Sequence, residues 1–468
     1  MPRPCHCDRV DECVFCRRWH ASEWHRLRWG GSAERPPPPN PEPRPAGPAV
    51  VAPPGSRTHP AGLLVASYDP RRDDGQSHAG LGVNGMLTAH ALCAAGVRCE
   101  SAGVRSADEI GSLLAARPWA THCTVGAAFV PPERLAELAD RFPRVVLVPR
   151  CHSQLGFLQC ESQAVRYFRG YEALDRPNVV LSGNNPRLCD FWRAAYGKPC
   201  ACLPNPYPFV DARHPRKVPD GVLDVGSFGS HRHLKNFLTA AGAALLLARR
   251  LGQPLRFHLN VNRQENNGGG ILGVVRDLLA GEAEVVPVPW CEWGDFRRHV
   301  AGLDACLHPS FTETFSLVTA DAAAEGVPVV GSPAIDWLPD SWTADPDDAA
   351  AIASAAERLL ADPDAPAAGR AALRAANDAA VATWVRWLAD TLPPPPGVRR
   401  PLPCRHLSDR PVSYCTSCCV GESLRPYRHV HQCGHPDGGE FGARGDGLVT
   451  RLRDCEACPD THYDPAPR

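Results

Sequence analysis

Through most of the chain, short continuous apolar runs alternate with stretches whose apolar positions recur at helical spacing. The runs at 63–67, 122–127, 144–148, 179–181, 223–228, 256–261, 284–288, 304–307 and 327–330 read as strands buried on both faces. Helical patterns are read at 86–95, 132–141, 238–251 and 315–325, in a stretch ending at Val300, and finally at 341–360 and 367–392. Strand and helix in strict turn imply parallel sheets covered by helices, an α/β fold class. In such sheets the loops that follow the strands gather at one edge, and ligands bind there.

Two proline-rich stretches interrupt the pattern. Residues 33–60 include Pro36 to Pro39 in a row, and 393–403 carry PPPPGVRRPLP, so both read as polyproline-like linkers. The resulting order is a Cys-rich module at 1–32, a linker at 33–60, two large domains at 61–207 and 208–375, a helix at 376–392, a linker at 393–403 and a Cys/His-rich module at 404–468. A chain of 468 residues is long enough for two core-bearing domains with appendages.

Composition then excludes some classes. A net charge of −1 provides no global basic field to hold nucleic acid or an anionic membrane. The opening MPRPCHCDRVDEC lacks the apolar region of a signal peptide, and no later apolar run reaches the length of a membrane span, so a cytoplasmic location without a membrane span is expected.

Cysteines are unevenly placed. Those in the middle of the chain, such as Cys93, Cys123 and Cys306, stand singly in apolar contexts and read as buried thiols. At the N-terminus Cys5, Cys7, Cys13 and Cys16 lie close together in a segment with no core of its own, which suits a tetrahedral structural zinc; an unfolded arm with reduced thiols is the alternative. At the C-terminus the pairs Cys415/Cys418 and Cys455/Cys458 have zinc-ribbon spacing, with Cys404 or His406 and Cys433 or His435 available for a second site. The mixed charges of that module favour a protein partner over nucleic acid.

The most informative stretch is 307–332, LHPSFTETFSLVTADAAAEGVPVVGS. It reads as a strand end, a loop with Glu313, a helix start and a Gly326 cap. A helix start offers unpaired N–H groups and a positive dipole end to a phosphate, and the carboxylates of Glu313 and Asp321 can accept hydrogen bonds from sugar hydroxyls. An anion site between polyol-binding carboxylates describes a nucleotide sugar. A second basic, glycine-containing turn, GSHRHLKNF at 229–237, follows the strand at 223–228 and offers backbone donors and positive charge for a diphosphate.

The Pro-Ser…Glu…Gly-x-Pro-Val-Val run of this stretch resembles the nucleotide-sugar signature of retaining glycosyltransferases of family 4, which have the GT-B fold of two Rossmann-like domains facing a cleft. Asp321 stands where the second Glu is usual, and Ser316 and Asn236 where glycine is usual. The resemblance covers roughly 61–392. It implies that Glu313 holds the donor sugar, that Lys235 and Arg232 neutralise the diphosphate, and that His152 approaches the sugar from the first domain. It further implies that Gly80, Gly82, Gly229, Thr314, Phe315, Ser316 and Asp321 bind the donor, with Gly80 and Gly82 in a loop after the first strand and Asp321 on the ribose. No catalytic metal is required. The expected activity is retaining transfer from a nucleotide-diphosphate sugar to an unidentified acceptor, and the alternative is a non-catalytic scaffold of the same fold that recruits partners through zinc modules.

Overall fold

The computed structural model describes residues 59–69, 79–209, 214–261, 263 and 268–393, together with the backbone of three short strands between 407 and 449. The first lobe runs β1 (Gly62–Tyr68), α1 (Ala79–Ala94), β2 (Arg98–Val104), α2 (Ala107–Ala115), β3 (His122–Gly126), α3 (Pro132–Arg141), β4 (Val146–Cys151), α4 (Leu155–Leu158), α5 (Ser162–Glu172), β5 (Ser182–Gly183), α6 (Pro186–Tyr196) and β6 (Ala201–Cys202). Its sheet is parallel throughout, in the order β2-β1-β3-β4-β5-β6. The central strands β3 and β4 are buried along their whole length, which is why they read as unbroken apolar runs.

The second lobe runs β7 (Leu223–Ser227), α7 (Phe237–Leu251), β8 (Leu255–Asn260), α8 (Ile271–Leu279), β9 (Glu284–Val288), α9 (Trp293–Ala301), β10 (Ala305–His308), α10 (Leu317–Glu325), β11 (Val329–Gly331) and α11 (Ala349–Ala361). Its five parallel strands take the order β11-β10-β7-β8-β9. Strand order therefore reverses between β1 and β3 in the first sheet and between β7 and β10 in the second, the points where such sheets open a crevice.

The last helix, α12 (Ala365–Asp390), joins the lobes. At about 1.5 Å per residue its 26 residues span roughly 39 Å. Ala365 and Leu373 pack into the second-lobe core. Trp384 and Leu388 pack with Leu63, Leu92 and Leu203 in the first, and the Trp384 indole N–H donates to the Pro204 carbonyl at 2.7 Å. Beyond it, β12 (Leu407–Val412), β13 (Val430–Cys433) and β14 (Leu448–Val449) form a small antiparallel sheet.

Three local expectations are corrected. The glycines of 80–85 are not in a loop: α1 begins at Ala79 and encloses Gly80, Gly82 and Gly85. Tertiary packing outweighs the poor helix propensity of glycine there, because a Cβ at Gly85 would come within 2.5 Å of the Ser67 hydroxyl and hold the helix off β1. The helix after the signature loop starts at Leu317 rather than at 315, since Ser316 has a left-handed backbone, φ +63°. The helical pattern at 341–360 resolves into a single turn at Asp340–Trp342 and then α11.

Candidate functional site

The carboxyl ends of both sheets face one cleft of about 530 Å³, a size typical of small-molecule sites. Tyr68 and Ala128 reach it from the ends of β1 and β3, His152 from β4, Gly229 from β7, Trp290 from β9 and Glu313 from β10.

The second-lobe wall is built by two tight turns. After β7 the chain passes Gly229 at φ +129°, a conformation that side-chain-bearing residues rarely adopt, and its N–H donates to Asn260 Oδ1 at 2.9 Å. A single turn, His233–Lys235, then leads to Asn236 at φ +59° and into α7. The Asn236 amide donates to the carbonyls of Pro309 and Pro346, at 3.2 and 2.5 Å, and so ties this turn to the signature loop. Lys235 Nζ thereby meets Glu313 Oε1 in an ion pair, with side chains only 16% and 10% exposed, and Ser310 Oγ donates to the same carboxylate oxygen at 3.0 Å. Asn236 and Ser316, which replace the glycines that the resemblance expects, are both at positive φ. The left-handed backbone explains the expected glycine; for another residue it costs roughly 1–2 kcal/mol, least for Asn, and Ser316 supports it with a 2.8 Å hydrogen bond to the Thr319 hydroxyl. Behind this wall His308 is held neutral: burial, and then the charge of Lys235, pull its pKa down to about 3.

The first-lobe wall meets that loop directly. Gln154 Nε2 donates to the Glu313 carbonyl at 2.5 Å, and Thr314 Oγ1 donates to the His152 carbonyl at 3.2 Å while accepting from Asn184 Nδ2 at 3.0 Å. The Arg232 guanidinium lies over the Phe157 ring, 4.6 Å from its centroid. Burial, and then the nearby Arg150, hold His152 well below its ordinary pKa, so its imidazole is neutral. Below them Arg150, 2% exposed, donates to the Leu203 carbonyl and to the side-chain oxygens of Asn84 and Asn205. Burial brings it down to about 9, which still leaves it charged at neutral pH.

Lys235, Glu313, Arg232, His152, Gly80, Gly229, Thr314, Phe315 and Ser316 therefore line one cleft. Two expected donor-binding residues do not. Gly82 lies in α1 and is not among the lining residues. Asp321 is 2% exposed on α10, behind the cleft, where its Oδ1 accepts from Tyr207 OH at 2.7 Å and Trp293 Nε1 at 2.9 Å. Burial raises its pKa to about 6 despite those two donors. It sits a turn beyond Leu317 and Val318, the helix residues that do reach the cleft, and the Trp293 indole covers it. The expected zinc ligands Cys5, Cys7, Cys13, Cys16, Cys404, Cys415, Cys418, His435, Cys455 and Cys458 lie outside the described residues, and of Cys433 only the backbone, ending β13, is described. Among the described residues no group of three His, Cys, Asp or Glu side chains could hold a metal.

Arg150, Asn84, Asn205 and Gln154 escaped the sequence reading. The available signal was a charged residue, Arg150, at the carboxyl end of an otherwise apolar run.

Residues 222–362 match the family model described as glycosyl transferases group 1. No curated protein matches the chain. Among solved structures, sucrose-phosphate synthase from Thermosynechococcus elongatus aligns with a TM-score of 0.52 at 15% identity, over 70% of this chain and 98% of that one. A glycosyltransferase from Rickettsia africae aligns at 0.49 and 10% identity, and a UDP-forming trehalose-phosphate synthase from Burkholderia xenovorans at 0.47 and 13%, each over 70% of this chain and 98% of its own. Among the described residues no helix is long and apolar enough to cross a membrane. The first of these likenesses shows a shared two-lobed α/β fold, and the family match places a glycosyl transferases group 1 domain in the second lobe.

Proposed function

We propose that this protein is a retaining glycosyltransferase, of the family-4 kind, that moves a sugar from a nucleotide-diphosphate sugar to an acceptor held against the first lobe. The observation that carries the reading is the Lys235–Glu313 pair, inside the segment matching group 1 glycosyl transferases and facing the cleft between the lobes.

On this reading the donor parts the ion pair. Lys235 and Arg232 neutralise the charge that develops on the departing diphosphate, aided by the unpaired N–H groups at the start of α10. Glu313 takes a hydroxyl of the donor sugar and keeps its Ser310 hydrogen bond. His152, being neutral, can share a hydrogen bond with the sugar without adding a second positive charge to the site. The proposal needs no catalytic metal, and Asp321 has no part in it. Trp290, with the Arg263 guanidinium 4.6 Å from its ring centroid, offers a flat face for the base.

Calorimetry with a panel of nucleotide sugars tests the assignment. One donor is expected to give saturable heat that Lys235→Ala abolishes, and release of its nucleoside diphosphate is expected to accompany turnover. Absence of heat with every donor would overturn it. A scaffold that binds a nucleotide without turnover is favoured by one observation, the engagement of Asp321 by Tyr207 and Trp293, and predicts saturable heat with no diphosphate release. The Cys-rich ends are proposed, on spacing alone, to be structural zinc modules that dock a protein partner; a purified chain without bound zinc would remove that assignment.

A further inference from the structure

We infer that the first-lobe wall is a subsite for a neutral polyhydroxyl acceptor, gripped by the amide N–H of Asn84 and the amide carbonyl of Asn184, both of which Arg150 orients. Calling that ligand the acceptor rests on the glycosyl-transfer reading; the subsite itself does not.

The argument begins with what a guanidinium can do. It only donates, so neighbouring side-chain amides must turn their oxygens toward it. Arg150 Nη1 lies 3.2 Å from Asn84 Oδ1, and Nη2 lies 2.6 Å from Asn205 Oδ1. A flipped amide at either place would set N–H against N–H, so the orientation is dictated by chemistry. Asn84 Nδ2 then faces away from Arg150, and it is buried with no hydrogen-bond partner among the described residues, in a residue 2% exposed.

The same constraint passes one residue further. Asn205 Oδ1 also accepts from Asn184 Nδ2 at 3.3 Å, and that nitrogen gives its other hydrogen to Thr314 Oγ1 at 3.0 Å. Both Asn184 amide hydrogens are spent, and its Oδ1 is left buried without a partner among the described residues, in a residue 3% exposed. Asn84, Asn184 and Asn205 all line the cleft.

Two residues of the wall thus hold one fixed donor and one fixed acceptor, each buried and without a partner among the described residues. A hydroxyl group satisfies either, and a polyol satisfies both at once. A phosphate or carboxylate brings acceptors alone and would set an oxyanion against the Asn184 carbonyl. The charge of Arg150 does not rescue an anion, because the group is turned inward, onto the Leu203 carbonyl at 3.0 and 2.6 Å and the Trp384 ring 5.2 Å away. The acidic side chain on this wall, Glu161, adds repulsion. Thr314 adjoins Glu313, so the relay ends beside the ion pair assigned to the donor.

The test uses the full chain and ligand-observed NMR titrations with glucose, trehalose and myo-inositol, with glucose 6-phosphate and inorganic phosphate as anionic arms, each with and without UDP. At least one neutral polyol is expected to bind saturably, to resist displacement by inorganic phosphate, and to bind tenfold or more weakly to Asn84→Asp, which keeps the shape and the Arg150 contact but loses the donor. Should Asn84→Asp fail to fold, Asn84→Ser carries the same expectation. Arg150 is a positioning residue, so Arg150→Lys is expected to weaken polyol binding while leaving UDP affinity unchanged, a split that general loosening of the lobe would not give. Binding of glucose 6-phosphate alone, polyol binding indifferent to Asn84→Asp, or no polyol binding at all overturns the inference. Failure of the glycosyl-transfer reading registers separately, as no response to UDP or to any nucleotide sugar while the polyol arm is unaffected.

Discussion

Across the cleft from the ion pair of Lys235 and Glu313, the first lobe presents His152, Gln154, Asn84 and Asn184, none of which carries charge at neutral pH. One wall is ionic and set by two tight turns; the other is a set of amides and an imidazole kept neutral by burial. The cations Arg232, Lys235 and Arg263 all stand on the second-lobe side, whereas Glu161, bonded to Ser153 at 2.8 Å, is the ionisable acid opposite. The difference teaches how one cavity can separate two tasks. Charge collects where a diphosphate would leave, and uncharged donors and acceptors collect where hydroxyls would be sorted, since a stray cation there would hold the leaving group on the wrong side.

The largest expected effect isolates the neutral wall from the ionic one. Trp384→Ala empties a fully buried site where α12 enters the first-lobe core and leaves the Pro204 carbonyl without its donor. A loss of about 3–5 kcal/mol is expected, read by denaturant unfolding, and confined to the first lobe if the two cores unfold separately. Next, Lys235→Ala strikes the ionic wall alone: turnover with the responsive donor is expected to fall by about 10²–10³-fold in a transfer assay.

Smaller is the effect of Asp321→Asn beneath the ionic wall. With its folded pKa raised from 3.8 to about 6, Asp321 binds its proton more tightly in the native state, so its contribution to stability declines as pH rises between those two values. The amide variant is expected to lose that decline and to be more stable than the parent at pH 8 by about 2–3 kcal/mol, while matching it near pH 4, as measured by unfolding at both values. The smallest effect concerns the seam between the walls. Asp336 accepts from Asn185 at 2.8 Å and from Arg187 at 2.7 Å, and the Arg187 and Asp336 side chains are 55% and 36% exposed. Asp336→Ala is therefore expected to cost only about 0.2–1 kcal/mol and to raise the donor KM by less than fivefold in the same assay.

Legibility follows the same division. Glu313, Lys235 and the turns that carry them were readable because each is local: a strand end, a turn and a helix start within a few residues of sequence. Asn236 and Ser316 stand out in the sequence as departures, yet their left-handed backbones are set by the tertiary fold. The amide relay was not readable, since residues 84, 150, 184 and 205 come from four separate segments that the parallel sheet alone brings together. Asp321 was misplaced for a related reason. Spacing from Glu313 fixed its face of the helix but could not show that Trp293, from α9, covers it. The glycine run at 80–85 reads as a loop through the resemblance alone, whereas packing against β1 makes it helical.

The helix that begins in one core and finishes in the other has a practical corollary. Neither half of this molecule can be excised cleanly: a fragment cut before residue 365 strips the first lobe of the indole that seals its flank, and a fragment holding only the second sheet and α12 exposes an orphan greasy strip along its tail. Expression boundaries for dissecting the protein should therefore keep everything from β1 to the end of α12 in one piece.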